Sequence, residues 1–317
     1  MELIEVIKPG MLTTIQDRGR LSFQKYGISA CGAMDALSFR LGNILVGNEE
    51  NEAALEVTLV GPHLKFLADG MIAITGADLS PTINGVKVPL WKTIKVFEGD
   101  ILRFGVSKDG SCRAYIAAGG GIDVPLVMGS RSTFTRGSFG GLEGRALAAG
   151  DILSIQASRS RSLSMEGRMI PPVYIPDFAK ERKIRFILGP QSDEFTEEGV
   201  QTLCSSTYRI LNESDRMGFR LEGPVVTHST GPDIISDYIT MGSIQVPGNG
   251  KPIVLMADCQ MTGGYTKIGV VIGVDIPYLA QKKPGDAIQF EQVEVDEAQL
   301  LWKRQEQLIS LMTINNK

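Results

Sequence analysis

Three short landmarks recur in this chain at a separation of about half its length. Asn48, Leu55-Glu56 and Gly61-Pro62 correspond in order to Asn212, Leu221-Glu222 and Gly223-Pro224, at offsets of 164, 166 and 162 residues in a chain of 317. A near-constant offset over several landmarks is what an internal duplication leaves behind. The sequence therefore predicts two similar lobes, with chance matching of such short pairs as the alternative.

The local patterns within the two halves are those of β-structure. Asn84-Gly85 is a strong signal for a type I′ hairpin turn, and Gly-Asp followed by alternating apolar residues occurs at Gly99, Gly150 and Gly285. The chain contains 36 glycines and 15 prolines, which leaves little room for long helices. The sequence predicts a mainly β fold with a few helices.

The domain organisation follows from the duplication and from one stretch of composition. A segment rich in Ser, Arg and Pro separates the halves and is typical of a linker. We expect an N-terminal β-barrel lobe at 1–160, a linker at 161–181, and a C-terminal β-barrel lobe with a C-terminal helix at 182–317.

Three segments carry helix signals. Asp35 can cap a helix whose apolar face includes Leu37 and Leu41. Ser192, followed by two acidic residues, is expected to begin a second helix, and Asp296-Glu297 to begin a third near the end of the chain.

Charge and hydropathy exclude several classes of protein. The formal net charge is −4 and the pI is about 5.4, which disfavours nucleic acid as a partner. No stretch of 18 uncharged apolar residues occurs and the N-terminus lacks a signal-peptide pattern, so we expect a cytoplasmic protein that does not bind a membrane. The four cysteines are too widely spaced for a disulfide framework or a paired-cysteine metal site.

Common catalytic motifs are missing. The only two histidines, His63 and His228, have no nucleophile motif or metal-ligand spacing nearby, so we expect both to be structural and predict no metal site. The Gly250-Lys251 pair is followed by proline and lacks the spacing of a P-loop. Histidine-based hydrolysis is therefore disfavoured, and nucleotide binding by a P-loop is excluded.

Two polar clusters in the first half suit anion binding. Asp17 and Arg18 lie in Gln-Asp-Arg-Gly-Arg, where guanidinium groups beside a glycine match the geometry of a carboxylate or phosphate. Arg131 lies in a segment of hydroxyls, arginines and glycines whose backbone amides are unhindered. A surface turn with an Asp–Arg pair and a flexible surface loop are the respective alternatives.

A denser cluster lies in the second half. The apolar run at 253–257 predicts a buried strand that ends at Asp258, with Gln260 two residues on and on the same face. A carboxylate beside a side-chain amide can hydrogen-bond both edges of an amide or urea-like substrate. Thr262-Gly263-Gly264 is expected to turn the chain, and the alternative is a capped strand end with a glycine turn.

These segments together resemble a known family. The motifs are Gln16-Asp17-Arg18-Gly19, Gly32-Ala33-Met34-Asp35, Gly47-Asn48, Gly129-Ser130-Arg131-Ser132-Thr133, Ser214-Asp215-Arg216-Met217-Gly218, Gln245-Val246-Pro247 and Thr262-Gly263-Gly264-Tyr265. They are similar to the biotin-dependent carboxyltransferase family, also called allophanate hydrolase subunit 2. The family's Asp-Arg-Gln-Thr-Thr-Gly-Gly-Tyr segment has Cys259 and Met261 here in place of an arginine and a threonine.

The resemblance implies a fold, partners and ligands. The fold would be a pair of cyclophilin-like β-barrel lobes. Stand-alone bacterial members are the C subunit of an ATP-hydrolysing 5-oxoprolinase, which opens the lactam of 5-oxoproline to glutamate. The direct partner would be the KipI-like B subunit, and the A subunit would complete the reaction. ATP would be bound by the complex, and biotin is possible without being covalently attached.

The polar clusters and the resemblance together suggest roles for residues. The expected catalytic residues are Arg216, Asp258 and Gln260, and the expected substrate-binding residues are Asp17, Arg18, Asn48, Arg131, Gln245, Thr262, Gly263 and Gly264. Two alternatives stay open beside the oxoprolinase: a non-catalytic KipI antagonist that binds a kinase inhibitor, and the carboxyltransferase component of a urea carboxylase.

Overall fold

The computed structural model describes residues 1–156 and 165–314 and divides into two compact units. The first unit comprises Met1–Arg20, Cys31–Ala179 and the described residues from Ile309 onward, and the second comprises Leu21–Ala30 and Lys180–Leu308. The predicted lobe boundaries at 160 and 182 remain a prediction. Linker positions 161–164 lie outside the described residues.

The first unit contains eleven strands and one α-helix among its described residues. They are β1 (Glu2–Lys8), β2 (Leu12–Gln16), α1 (Ala36–Leu45), β3 (Ala54–Thr58), β4 (His63–Phe66), β5 (Gly70–Gly76), β6 (Thr82–Ile83), β7 (Val86–Lys87), β8 (Thr93–Val96), β9 (Ile101–Arg103), β10 (Arg113–Ala118) and β11 (Ile152–Ser154). One sheet has the order β11-β1-β4-β9-β6-β7 and the other β2-β3-β10-β5-β8.

The centre of the five-stranded sheet is buried on both faces. Every residue of β10 is buried, because helix α1 packs on β10 and β5 while the other face meets the hydrophobic core. On the helix side, the ring of Phe39 lies edge-on to that of Tyr115, with centroids 6.2 Å apart. This packing fixes β2 and β3 at one edge of the sheet, where Asp17 follows β2.

The second unit is built around a closed barrel. Its strands are β12 (Ile184–Leu188), β13 (Thr207–Ile210), β14 (Gly218–Glu222), β15 (Asp233–Tyr238), β16 (Ser243–Gln245), β17 (Ile253–Leu255), β18 (Thr262–Tyr265), β19 (Lys267–Val271) and β20 (Ala287–Gln292), and its α-helices are α2 (Glu197–Ser205), α3 (Ile276–Ala280) and α4 (Val295–Ile314), whose last residues belong to the first unit. The barrel order is β12-β19-β16-β17-β14-β13-β20, and β15 and β18 form a separate two-stranded ribbon.

The mainly β fold is confirmed, and so are the most local predictions. Asn84 and Gly85 both have positive φ, as a type I′ turn requires, and they connect the paired strands β6 and β7. Helix α1 begins after Asp35, whose carboxylate accepts a hydrogen bond from the backbone N–H of Ser38 at 2.9 Å. Helix α4 begins at Val295, beside the predicted Asp296-Glu297.

The predicted start of the second helix is wrong. Ser192–Glu194 is a single 3-10 turn, and α2 begins at Glu197 with Thr196 as its cap. Between them Phe195 is extended, because it forms a β-bridge with His228 and stacks its ring on the imidazole at a centroid distance of 4.7 Å. The tertiary contact of Phe195 therefore overrides the helix signal of Ser192.

The repeated landmarks fall at different places in the two units. Leu55-Glu56 lies on the first strand after α1, whereas Leu221-Glu222 lies on the second strand after α2. The second unit contains the closed barrel, while the strands of the first form two sheets. The internal duplication thus stays a prediction. Within the described residues, no helix combines the length and apolar character needed to cross a membrane.

Candidate functional site

A buried ion pair occupies the place where the sequence predicts catalytic residues. Arg216 precedes β14 and Asp258 follows β17, and the two paired strands bring them together. The Arg216 guanidinium donates from Nε to Oδ2 of Asp258 at 3.0 Å and from Nη2 to Oδ1 at 2.9 Å. Both side chains are more than nine-tenths buried. Each carboxylate oxygen of Asp258 thus already accepts from the arginine.

Asp258 and Gln260 do not share a face, contrary to the prediction. Strand β17 ends at Leu255, so Asp258 lies in a turn where the two-residue alternation of a strand no longer applies. Asp258 is buried and Gln260 is exposed. The catalytic roles of these two residues and of Arg216 remain predictions.

The two positions that depart from the family pattern are part of the hydrophobic core. Cys259 and Met261 are buried in a cluster with Ile239 and Leu255. Burial, with a smaller contribution from the charge of Asp258, raises the pKa of the Cys259 thiol to about 12. A thiol of this kind acts as a small apolar side chain and not as a nucleophile.

This environment predicts that Cys259 resists alkylation. With a pKa of about 12, only about one thiol in ten thousand is ionised at pH 8. We expect iodoacetamide at pH 8 to leave Cys259 unmodified in the folded protein and to modify it in urea. Peptide mass spectrometry measures both. Rapid labelling of Cys259 in the folded chain would contradict its burial.

Thr262-Gly263-Gly264 forms a strand and not the predicted turn. These residues belong to β18, which pairs with β15 so that Gly263 lies opposite Asp237 and Thr262 opposite Tyr238. Gly263 also approaches Gln245: a Cβ placed on it would lie 2.7 Å from the Nε2 atom of Gln245. The glycine therefore allows the ribbon to lie directly against the side chain of Gln245.

A buried lysine that the sequence analysis missed lies beside this contact. Lys267 on β19 is the cross-strand partner of Gln245 on β16. Its Nζ donates to Oδ2 of Asp237 at 2.6 Å and to the carbonyl oxygen of Tyr238 at 3.1 Å. We call Asp237, Gln245, Gly263 and Lys267 the ribbon cluster. No sequence signal marked Lys267, because a lysine in a strand is ordinarily on the solvent face.

In the first unit, Asp17 organises a loop. Its Oδ1 accepts hydrogen bonds from the hydroxyls of Ser130 and Ser132 at 2.7 and 2.6 Å and from the N–H of Gly19 at 2.7 Å. Its Oδ2 accepts from the N–H of Arg131 at 2.6 Å. The carboxylate is buried and holds this loop in place. Asp17 could therefore affect a substrate only by positioning the loop.

The other predicted residues of the first unit differ in what they offer a ligand. Arg18 is exposed, and its backbone N–H donates to Asn51. Arg131 donates from Nε to the carbonyl oxygen of Val124 at 3.1 Å, and its Nη1 lies 3.8 Å from a carboxylate oxygen of Glu52. Of these two guanidinium groups, that of Arg18 is the more open to an anion.

The side-chain amide of Asn48 forms its hydrogen bonds with other residues of the first unit. Its Nδ2 donates to Oδ1 of Asn43 and to the carbonyl oxygen of Ala118, each at 2.8 Å. Its Oδ1 accepts from the N–H of Gly120, also at 2.8 Å. The amide ties the end of α1 to the end of β10.

The predicted residues therefore fall into two groups. Asp17, Arg18, Asn48 and Arg131 belong to the first unit, and Arg216, Gln245, Asp258, Gln260, Thr262, Gly263 and Gly264 belong to the second. Within 1–156 and 165–314, no group of three or more His, Cys, Asp or Glu residues is placed to hold a metal ion. The chemistry available is hydrogen bonding and charge, from arginine, lysine, carboxylate and amide groups.

The carboxyltransferase domain family, subdomain A and B, matches residues 26–292, and the chain belongs to this family. The predicted family is thereby confirmed. Among individual proteins, the chain is 39% identical to the C subunit of 5-oxoprolinase from Escherichia coli (strain K12), over 96% of its own length and 95% of that protein.

The same family includes much longer enzymes. The chain is 36% identical to the urea amidolyase of Saccharomyces cerevisiae over 96% of its own length, but it covers only 17% of that protein. The crystal structure of the Kluyveromyces lactis urea amidolyase superposes with a TM-score of 0.91 at 33% identity, covering 98% of this chain and 20% of that one. The fold of this chain is thus that of one region of a much longer protein.

Proposed function

We propose that this chain is the C subunit of an ATP-dependent 5-oxoprolinase, which converts 5-oxo-L-proline to L-glutamate together with the A and B subunits. The observation that carries the proposal is the end-to-end match to a protein named as the C subunit of 5-oxoprolinase, which this chain covers to 95%. The match to urea amidolyase covers only 17% of that enzyme, so this chain corresponds to a small part of it.

The residues of the site suit a reaction at an amide without a histidine base. Amide resonance makes the lactam carbonyl a poor electrophile, and ATP would supply the phosphoryl group that activates its oxygen. Hydrogen-bond donors then stabilise the charge that develops there. Arg216, Lys267 and the amide of Gln245 are donors of this chain that would bind and orient the substrate.

The buried cations of the second unit are already paired with carboxylates. The two buried cations of the second unit, Arg216 and Lys267, are in contact with the carboxylates of Asp258 and Asp237. A phosphate group that bound either cation would compete with its carboxylate. We therefore derive no step from ATP or biotin on this chain, and we propose that ATP is bound by the complex and that biotin is not covalently attached here.

A second function can be tested in parallel. The TM-score of 0.91 with a urea amidolyase favours a carboxyltransferase acting on urea as the alternative. That reaction would require biotin on another protein. The two candidates differ in substrate, so one assay format can compare 5-oxo-L-proline with urea.

Reconstitution tests the proposed function. We expect the chain alone to hydrolyse little ATP, and to form a complex with a KipI-like B subunit that elutes as one species in size-exclusion chromatography. Adding the A subunit should give ATP hydrolysis and glutamate formation that depend on 5-oxo-L-proline. The control is the same mixture without this chain.

Three results would contradict the proposal. If this chain and the B subunit elute separately at micromolar concentration, the B subunit is not its direct partner. Urea-dependent turnover without 5-oxoprolinase activity would favour the carboxyltransferase alternative. A stable complex without activity toward either substrate would favour the non-catalytic antagonist.

A further inference from the structure

The ribbon cluster contains a buried cation whose anionic partner is open to solvent. The side chain of Lys267 is 4% exposed and that of Asp237 is 47% exposed. Burying a charge is costly unless it is paired, and a purely structural pair is best shielded on both sides. Here the ammonium is buried while the carboxylate paired with it is half-exposed, so the solvent side of the pair is the side of Asp237.

The lysine has unused capacity for hydrogen bonding. Its ammonium carries three N–H donors, and two acceptors engage it: Oδ2 of Asp237 and the carbonyl oxygen of Tyr238. Both acceptors are on β15 of the ribbon. The bond from Lys267 is also the main reason that the pKa of Asp237 lies below its usual range, so Asp237 is held as a carboxylate.

A second donor beside the lysine has no partner. The Nε2 atom of Gln245 is buried, and within the described part of the chain no acceptor lies in hydrogen-bond range of it. Gln245 and Lys267 are opposite each other on neighbouring barrel strands, so their side chains are on the same side of the sheet. The Nε2 atom lies against Gly263 of the ribbon, where a Cβ would come within 2.7 Å of it, so a ligand oxygen reaches it when the ribbon shifts. A buried amide donor without an acceptor is unfavourable, and a ligand oxygen would satisfy it.

We propose that Lys267 and Gln245 form a carboxylate subsite in which the carboxylate of the substrate replaces Asp237 on the Lys267 ammonium. The inference rests on the proposed function, because 5-oxo-L-proline carries a carboxylate beside its lactam. One carboxylate oxygen accepts from Nζ of Lys267 and the other from Nε2 of Gln245. Asp237 pairs with the Lys267 ammonium when substrate is absent and turns to solvent when the substrate binds. The ribbon is suited to this exchange, since its register is irregular between Asp233 and Asp237.

Kinetics of the reconstituted complex test the exchange. We expect Lys267→Met to raise KM for 5-oxo-L-proline at least about tenfold, because a charge-assisted hydrogen bond is lost. Asp237→Asn is expected to lower KM by roughly two- to fivefold, because the half-exposed carboxylate that competes with the substrate for Lys267 loses its charge. A purely structural pair predicts a lower melting temperature for Asp237→Asn and an unchanged KM. An unchanged or raised KM in that variant would overturn the subsite.

Binding without turnover separates this inference from the proposed function. The complex, without ATP, is titrated calorimetrically with 5-oxo-L-proline and with pyrrolidin-2-one, which is the same lactam without the carboxylate. We expect the wild-type complex to bind 5-oxo-L-proline at least about tenfold more tightly, and Lys267→Met to lose this difference. Gln245→Met should reduce it, and Lys267→Arg should retain part of it.

The proposed function and the carboxylate subsite would be contradicted by different results. If ATP hydrolysis does not depend on 5-oxo-L-proline, the proposed function fails, and the titration still decides whether the subsite exists. Equal affinity for the two lactams, or no binding of either, would overturn the subsite. Because Asp237 is exposed, Asp237→Asn is expected to fold even if Lys267→Met does not.

Discussion

Asp258→Asn is expected to lower the free energy of unfolding by roughly 3–5 kcal/mol, the cost of leaving one member of a buried ion pair without its partner. The Asp258 carboxylate accepts two hydrogen bonds from Arg216, and both side chains are buried. Asparagine retains one acceptor oxygen and presents an NH₂ group to a guanidinium nitrogen. Urea denaturation followed by circular dichroism measures the loss.

The matched control is Asp123→Asn, which makes the same chemical change at an exposed carboxylate whose hydrogen-bond partner is Gln156 at 3.2 Å. We expect that variant to lose less than about 1 kcal/mol. Equal losses in the two variants would contradict the importance of burial for the Arg216–Asp258 pair.

A double variant separates the structural role of this pair from a catalytic one. Replacing a buried ion pair with apolar residues of similar volume is often neutral or stabilising, so Arg216→Met with Asp258→Leu should recover most of the stability lost by Asp258→Asn. If the pair contacts the substrate, the folded double variant in the complex should lose at least about tenfold in turnover. Near-wild-type turnover would show that the pair is structural and would remove Arg216 and Asp258 from the catalytic set.

The features predicted correctly from sequence depend on neighbouring residues. The Asn84-Gly85 turn follows from the backbone preferences of two adjacent residues, and the Asp35 cap from a hydrogen bond that spans three. The second helix was placed too early because Phe195 contacts His228, 33 positions away in the chain. Local signals could not indicate that contact.

The same limit explains what was missed in the site. Arg216 and Asp258 are 42 residues apart, and only the pairing of β14 with β17 makes them an ion pair. The family resemblance named Gln245, but its buried and unpartnered Nε2 depends on its position beside Gly263. Lys267 was missed because alternation along a strand cannot indicate that a ribbon elsewhere in the chain covers the exposed face.

Asp17→Asn is expected to cost at least about 3 kcal/mol of stability and to loosen the loop that contains Arg131, since hydrogen bonds to a charged group are worth about 1.5–3 kcal/mol each. Four donors converge on this buried carboxylate: the N–H groups of Gly19 and Arg131 and the hydroxyls of Ser130 and Ser132. An asparagine side chain has one acceptor oxygen, so its NH₂ group must face at least one of these donors.

Hydrogen exchange would report the loosening at the residues that Asp17 binds. The amide of Arg131 donates to Asp17 at 2.6 Å and that of Gly19 at 2.7 Å, and both should exchange faster in Asp17→Asn. Asp123→Asn is the matched control, because Asp123 is exposed in the same unit and, among the described residues, its carboxylate accepts only from Gln156 at 3.2 Å. If Asp17→Asn retained wild-type stability and amide protection, the hydrogen bonds to Asp17 would not be what holds Arg131 in place. The predicted role of Asp17 would then have to be a direct contact with the substrate.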